Sequence, residues 1–432
     1  MQYIPNIIFL AALIIGFGFF IKNSRKILRN IKLGQKVDAS DHKKERWNNV
    51  IRIALGQSKM VVRPVSGLLH IIVYAGFIII NLEVLEIIID GLFGTHRIFS
   101  FLGSIYGFLI GSFEILALLV LISVCVFWIR RMIIRVPRFW NKEMTKWPKN
   151  DALIILYFEM VLMSLFLIMN ATDIHFQEMN SGNIISQFIA PLFSDLSEGT
   201  VHIIERSAWW IHILGILAFL NYLYFSKHLH ILLAFPNVYY GNVNPKGKFK
   251  NLESVTKEVK LMMDPTADPF AAPAEGAEEP GKFGASDVMD LNRTQLLNAY
   301  TCTECGRCTS NCPANQTGKK LSPRKIMMDT RDRLEEVGKN IDENGEFKLD
   351  GKQLLGDYIT NEELWACTTC NACTEACPIS IDPLSIIMDM RQYLVMEQSA
   401  APNELNISLT NIENNGAPWP YNQMDRLNWK DE

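Results

Sequence analysis

The chain has 432 residues, room for two or three domains. Hydrophobic residues make up 49% of it and the mean hydropathy is +0.11, which argues against a wholly soluble redox protein. The 42 basic and 45 acidic residues nearly cancel, so no basic excess points to nucleic acid.

The apolar excess lies before residue 240, in five stretches long enough to cross a bilayer at ~20 residues each. They run Ile4–Ile21, Ser66–Ile89, Phe101–Ile129, Ala152–Ala171 and Ser207–Phe225, the last with a possible extension to Pro236. The first has no basic residue before its apolar core and no clear small-x-small cleavage site, so it is read as an uncleaved span rather than a signal peptide.

Orientation follows from the connecting segments. Twelve Lys and Arg residues lie between spans one and two, and seven between spans three and four. The segment before span five is acidic, with Asp173, Glu178, Asp195, Glu198 and Glu205. Basic loops stay in the cytoplasm, so the N-terminus is expected outside and everything after span five inside.

Ionisable residues within spans are candidates for function. His70 sits a few residues inside span two, His212 near the outer end of span five, and His228 and His230 at its inner end. On one continuous helix His212 and His230 share a face ~27 Å apart, with His228 about 160° away. Such histidines are candidate haem ligands, and the competing interpretation is hydrogen bonding to backbone. Glu83, Glu86, Glu114 and Glu159 are the acids at or within spans, with Glu83 and Glu86 expected at an aqueous edge. Cys125, in span three, reads as a small buried hydrophobe.

Composition changes from about Asn242 to Ser286. The Pro/Ala/Gly/Glu-rich run from Asp264 to Gly281 has no apolar period and reads as a flexible linker. The expected divisions are a membrane domain at 1–240, a linker at 241–286, a cluster domain at 287–400 and a tail at 401–432.

Eight of the nine cysteines then fall in two runs. Cys302-x2-Cys305-x2-Cys308-x3-Cys312-Pro313 repeats as Cys367-x2-Cys370-x2-Cys373-x3-Cys377-Pro378. Soft thiolates at this spacing follow the bacterial ferredoxin pattern, in which the fourth cysteine of each run ligates the other cluster. That pattern implies one [4Fe–4S] cluster on Cys302, Cys305, Cys308 and Cys377, and another on Cys367, Cys370, Cys373 and Cys312. A tetrahedral zinc site has no place for the third closely spaced cysteine, and disulfides would need an oxidising compartment.

The repeat extends beyond the cysteines. Ser322 to Arg331 echoes Asp382 to Arg391, each placing a Ser or Asp N-cap before a proline at the first helical position. Helices after each run, and 54 residues between Cys312 and Cys367, imply an all-helical ferredoxin rather than a minimal β-rich one. The Asn-rich tail carries Trp419, Tyr421 and Trp429 and has no chemical reading.

Gly67-Leu-Leu-His70-Ile-Ile, Trp209-Trp-Ile-His212-Ile-Leu and Phe225-Ser-Lys-His-Leu-His230-Ile resemble the haem-b segments of the nitrate reductase gamma subunit and of the heterodisulfide reductase membrane subunit. With the cysteine runs, the chain resembles a fusion of that subunit with the two-cluster subunit of heterodisulfide reductase. The resemblance implies a mainly α fold: a five-helix transmembrane haem-b bundle, then a cytoplasmic all-helical dicluster ferredoxin domain. It makes His70 and His230 the axial pair of an inner haem b and His212 half of an outer pair. The partner histidine expected about three turns beyond His70 is replaced by Ile80 and Asn81, so one haem is expected and a second is uncertain.

The chain shows no nucleotide fingerprint, nucleophile constellation or flavin site, and no paired-cysteine CCG motif. The leading expectation is a subunit of a quinone-linked oxidoreductase in a bacterial or archaeal cytoplasmic membrane. It would exchange electrons between quinone and haem b and a cytoplasmic catalytic partner, either a CCG-type iron–sulfur protein or a flavoprotein. An alternative is the anchor of a flavoprotein dehydrogenase that reduces quinone. A third, non-catalytic alternative is an iron–sulfur assembly or sensing factor, which would need no transmembrane haem.

Overall fold

The computed structural model describes residues 3–245, 247–249, 251–266 and 282–431. Five helices are long and apolar enough to cross a membrane: Ile4–Lys32, Pro64–Phe93, Ser104–Met132, Trp147–Thr172 and Glu198–Phe225. Their starts follow local chemistry. Pro64 occupies the first position of the second span, where its missing N–H costs nothing. Ser197 caps the fifth by accepting from the Thr200 amide. That cap starts the fifth span at Glu198 rather than Ser207, because its polar first turns are still helical.

The spans form a closed ring. Each consecutive pair from first to fifth packs together, and the first also packs on the fifth. The first span is the least covered, with Ile7, Ile8, Ile14 and Phe19 exposed. An apolar face left open on a helix of this length is what lipid would cover.

The fifth span does not run on to Pro236. It tightens to a 3-10 turn at Leu223–Phe225, Ser226 is extended (φ −115°, ψ 146°), and a new helix begins at His230–Tyr240. The Ser226 hydroxyl accepts from the His228 amide and stabilises the break.

Beyond residue 282 the described residues are helical, and across the described chain only two isolated bridges are extended, Gln35 with Asn292 and Leu355 with Ile359. The two predicted caps are present. Ser322 accepts from the Lys325 amide at the head of Pro323–Asn344. Asp382 accepts from the Leu384 and Ser385 amides at the head of Pro383–Met396.

The cysteine-bearing unit is docked on the bundle. One hydrophobic core joins Ile27, Val50, Ile53, Leu229, Ala234 and Val238 of the membrane part to Leu291, Leu296, Leu334 and Ile386. Asn30, buried at the end of the first span, donates to the Tyr300 hydroxyl at 2.8 Å. A Cβ on Gly338 would lie 2.5 Å from the Asn30 amide, so glycine there permits the close approach. Arg307 donates to the Lys59 carbonyl at 2.8 Å, Arg324 to Glu143 at 2.7 Å, and Asn237 to the Ile379 carbonyl at 2.8 Å. All these partners lie on the two basic loops and the end of span five. The cluster unit therefore sits at the basic end of the bundle.

Within 241–286, the segment read as linker, Glu253–Met263 is helical. The run at 267–281 lies outside the described residues. The tail forms a helix, Asn403–Asn415, and a 3-10 segment, Gln423–Lys430, with Trp419, Tyr421 and Trp429 exposed.

Candidate functional site

Cys302, Cys305, Cys308 and Cys377 line one cavity of about 370 Å³, closed by Gly306, Met327, Ile379, Ile381 and Pro383. Cys302 caps the end of Arg293–Thr301, Cys308 lies in the short helix Arg307–Ser310, and Cys377 ends Ala372–Ala376. The fourth wall thus comes from the other cysteine run. Burial pushes the Cys302 thiol up to about 12 and that of Cys377 to about 11. Such thiols ionise only if something positive enters among them, which is what irons would provide. The Ile381 amide already donates to the Cys377 sulfur at 3.3 Å. Among the described residues no group of side chains converges to hold a single metal ion. Four spread thiols around a roomy cavity fit a cubane better than one ion.

The second set is built on the same backbone plan. Glu304 (φ 54°) and Gly306 (φ 71°) are left-handed between the cysteines of the first run, and Thr369 (φ 56°) and Asn371 (φ 59°) occupy the same offsets in the second. A left-handed L-residue costs roughly 1–2 kcal/mol. The repeated strain turns amides toward sulfur: the Thr369 N–H donates to Cys367 at 3.5 Å. Burial raises the Cys367 thiol, and the neighbouring charges of Cys312 and Cys370 add to it. Burial likewise lifts Cys373 to about 12, with Cys367 adding to it. Cys312 and Cys373 are buried and Cys370 is exposed, so this set lies nearer solvent.

Glu304 has a further role that its sequence does not announce. Its carboxylate, 3% exposed, pairs with Lys227 of the membrane part and with Arg331 at 2.9 Å. Burial alone would raise this carboxyl, but the two cations hold it below the usual range. Lys227 also donates to the Pro148 carbonyl at 2.7 Å, and its own carbonyl takes the Nδ1 of His230 at 3.0 Å. One residue therefore touches both a candidate haem ligand and the first cysteine loop.

His70 and His230 face each other with ring centroids 6.4 Å apart and planes at 42°. The Nδ1 contact of His230 leaves its Nε2 free to face inward. His70 Nδ1 is buried without a partner. His212 is 2% exposed, its Nδ1 lies 3.0 Å from the Leu162 carbonyl, and its ring packs near Phe166. Among the described residues it has no second imidazole as a ring neighbour.

The break at Ser226 overturns the placement of His228. The 160° separation assumes one unbroken helix. Instead the His228 ring lies 5.5 Å from that of His230, and both line a second cavity of about 720 Å³. This cavity is walled by Phe127, Phe139, Ile155 and Leu156, edged by Arg130, Arg131 and Arg138, and reaches Thr303 beside Cys302.

The acids also differ from expectation. Glu83 and Glu86 are each 3% exposed rather than at an aqueous edge. Glu86 accepts from the Phe99 amide and the Tyr106 hydroxyl, and Glu114 accepts from Asn170 and the Ile185 and Ser186 amides. These bonds tie the loops opposite the cluster unit to the bundle, so Glu86 and Glu114 are structural anchors. Cys125 is partly rather than fully buried.

Sequence reasoning misses Lys227, Glu304, Arg131 and Arg138 as site residues, because topology or a solvated surface already accounts for their charges. A cation next to His228, on a span's inner end, is the signal that could have found the first of them.

Residues 301–381 match the family model described as a 4Fe-4S dicluster domain. The chain is 31% identical to the probable iron-sulfur-binding oxidoreductase FadF of Bacillus subtilis, over 99% of this chain and 61% of that protein. It is 26% identical to the EtfAB:quinone oxidoreductase of Syntrophomonas wolfei, over 96% of this chain and 57% of that one. Part of it is 32% identical over 162 residues to a probable membrane-anchored ferredoxin of Chromohalobacter salexigens, covering 34% of this chain and 24% of that protein. Matches of similar strength reach subunits of heterodisulfide reductases from Methanosarcina. The chain thus spans about three fifths of the length of the first two relatives. No solved structure matches it. The iron–sulfur half of the resemblance is borne out: the C-terminal unit carries a domain of the two-cluster [4Fe–4S] type.

Proposed function

We propose that the chain is a membrane-bound electron-transfer unit of an oxidoreductase, working between a membrane quinone and a cytoplasmic partner through haem b and two [4Fe–4S] clusters. The observation that carries it is the second cavity, which has His230 on one wall and Thr303, next to Cys302, on another. Two imidazoles sandwiching one metal at ~2 Å per metal–nitrogen bond have their rings roughly 6 Å apart. The 6.4 Å between His70 and His230 suits that arrangement. When bound, haem and clusters supply one-electron transfer; the chain's own residues fix where each sits. His230 is oriented by the Lys227 carbonyl, and the apolar walls exclude water. His212 would hold a second haem only with a ligand other than histidine, and the proposal includes one haem.

The orientation proposed is N-terminus outside and cluster unit in the cytoplasm, with the basic loops beside it. The relative named EtfAB:quinone oxidoreductase favours one direction of flow. Electrons would enter the clusters from a flavoprotein donor and leave to quinone.

Anaerobically purified protein should contain about eight irons and eight acid-labile sulfides, and its reduced-minus-oxidised spectrum should show a low-spin haem b. Stoichiometric zinc without iron, or a spectrum without haem, would defeat the scheme.

A further inference from the structure

The 720 Å³ cavity is lined by Arg130, Arg131, Arg138 and Lys227, and among the described residues no carboxylate lines it. Lys227 is satisfied by Glu304 and Pro148. The other cations are different. Arg131 Nη1 and Arg138 Nε are buried and have no hydrogen-bond partner. Both guanidiniums lie against the Phe139 ring, at 4.4 and 4.8 Å from its centroid, which holds them in place. A buried guanidinium without an anion costs several kcal/mol, so the site is built to receive negative charge. The rest of the lining says what else the ligand has: Phe127, Ala152, Ile155 and Leu156 suit a flat apolar body, and His230 stands at its edge. The volume lies within the roughly 300–1,000 Å³ of ordinary ligand pockets.

Resting on the haem reading above, we infer that Arg131 and Arg138 bind the propionate carboxylates of the haem held by His70 and His230. The carboxylate side of the ring then faces the cluster unit, and Thr303 closes the cavity beside it. Both arginines act as positioning and charge-compensating groups, and neither ligates iron.

The test is an optical redox titration of the full-length protein, wild type against Arg131→Gln and Arg138→Gln, with the exposed Arg135→Gln as control. Loss of a nearby cation favours the oxidised, more positive haem. Each cavity variant should therefore keep the low-spin spectrum but shift its reduction equilibrium about tenfold toward the oxidised form, 59 mV for one electron. Arg138→Lys should recover part of the shift, and Arg135→Gln should show none. If the wild type carries no haem by pyridine haemochromogen assay, the haem reading fails and takes this inference with it. If haem is bound and both Gln variants titrate like wild type, the haem reading stands and the carboxylate assignment is wrong. Loss of co-purified phospholipid phosphate from the Gln variants with an unchanged haem potential would likewise overturn it, by making the anion a lipid headgroup.

Discussion

Lys227 and Glu304 form a buried ion pair that crosses from the end of the fifth span into the first cysteine loop. Neither residue has water to fall back on, so the pair locks the cluster unit to the bundle at the point nearest His230. Removing one partner of such a pair strands the other, at a typical cost of about 3–5 kcal/mol. Lys227→Met should lower the melting temperature in detergent and expose the cluster unit to limited proteolysis. Lys227→Met combined with Glu304→Gln should regain part of the loss, because Gln can still accept from Arg331. A double variant no better than the single one would show that the pair does not hold the two parts together.

The cavity shared by Cys302, Cys305, Cys308 and Cys377 predicts which cluster each fourth cysteine serves. Cys377→Ser should alter the EPR signal of the cluster on Cys302, Cys305 and Cys308. Cys312→Ser should alter the other. The opposite assignment in Mössbauer or EPR spectra would refute the crossed arrangement.

His70→Ala and His230→Ala should each abolish the low-spin haem signal while leaving cluster EPR intact. His228→Ala should keep the haem but shift its spectrum or potential, since its ring lies 5.5 Å from that of His230. His212→Ala should leave the haem count unchanged. Loss of a second low-spin haem there would reveal a ligand not recognised in the structure.

At the opposite end of the bundle, Asp173 accepts from Arg97 at 2.7 Å and pairs with His96 at 3.1 Å. Burial alone would raise its carboxyl, but these two partners hold it well below the usual carboxylate range. A depressed acid contributes stability that is fully present above its unfolded value of about 3.9 and is lost as pH falls toward the folded value. Asp173→Asn should therefore cost about 3 kcal/mol at pH 7, by leaving buried Arg97 short of an anion. The penalty should shrink below about pH 4. A penalty independent of pH would mean that the ion pair is not its source.

The asymmetry of basic residues predicts that a reporter fused after residue 240 is cytoplasmic and that one fused near Asn183 is external. The reverse result would place the clusters outside and end the proposed scheme.

What is legible in the sequence is local. The cysteine spacing is set by how far successive thiolates can reach around one cluster, and Ser322 and Asp382 cap helices through bonds to residues two or three positions away. What is not legible depends on distant partners. The break at Ser226 carries no Pro or Gly, and apolar residues continue beyond it, so periodicity alone carries the fifth span through and puts His228 on the wrong face. Depth along a helix places Glu83 and Glu86 near water, yet Glu86 is held by Phe99 and Tyr106 from other elements. The docking itself rests on pairs such as Asn30 with Tyr300, 270 positions apart, which no local pattern encodes.

Because Ile27, Val50 and Val238 share one core with Leu296 and Leu334, the cluster unit is a fixed terminal rather than a carrier swinging on a tether. Delivery by a tethered carrier slows or quickens with the length of its leash, through the concentration the leash maintains at its target. Here, inserting or deleting a few residues within 267–281 should leave the rate of electron passage between the two parts unchanged. Traffic through such a chain is governed by the docking of outside partners at its two ends, not by internal diffusion.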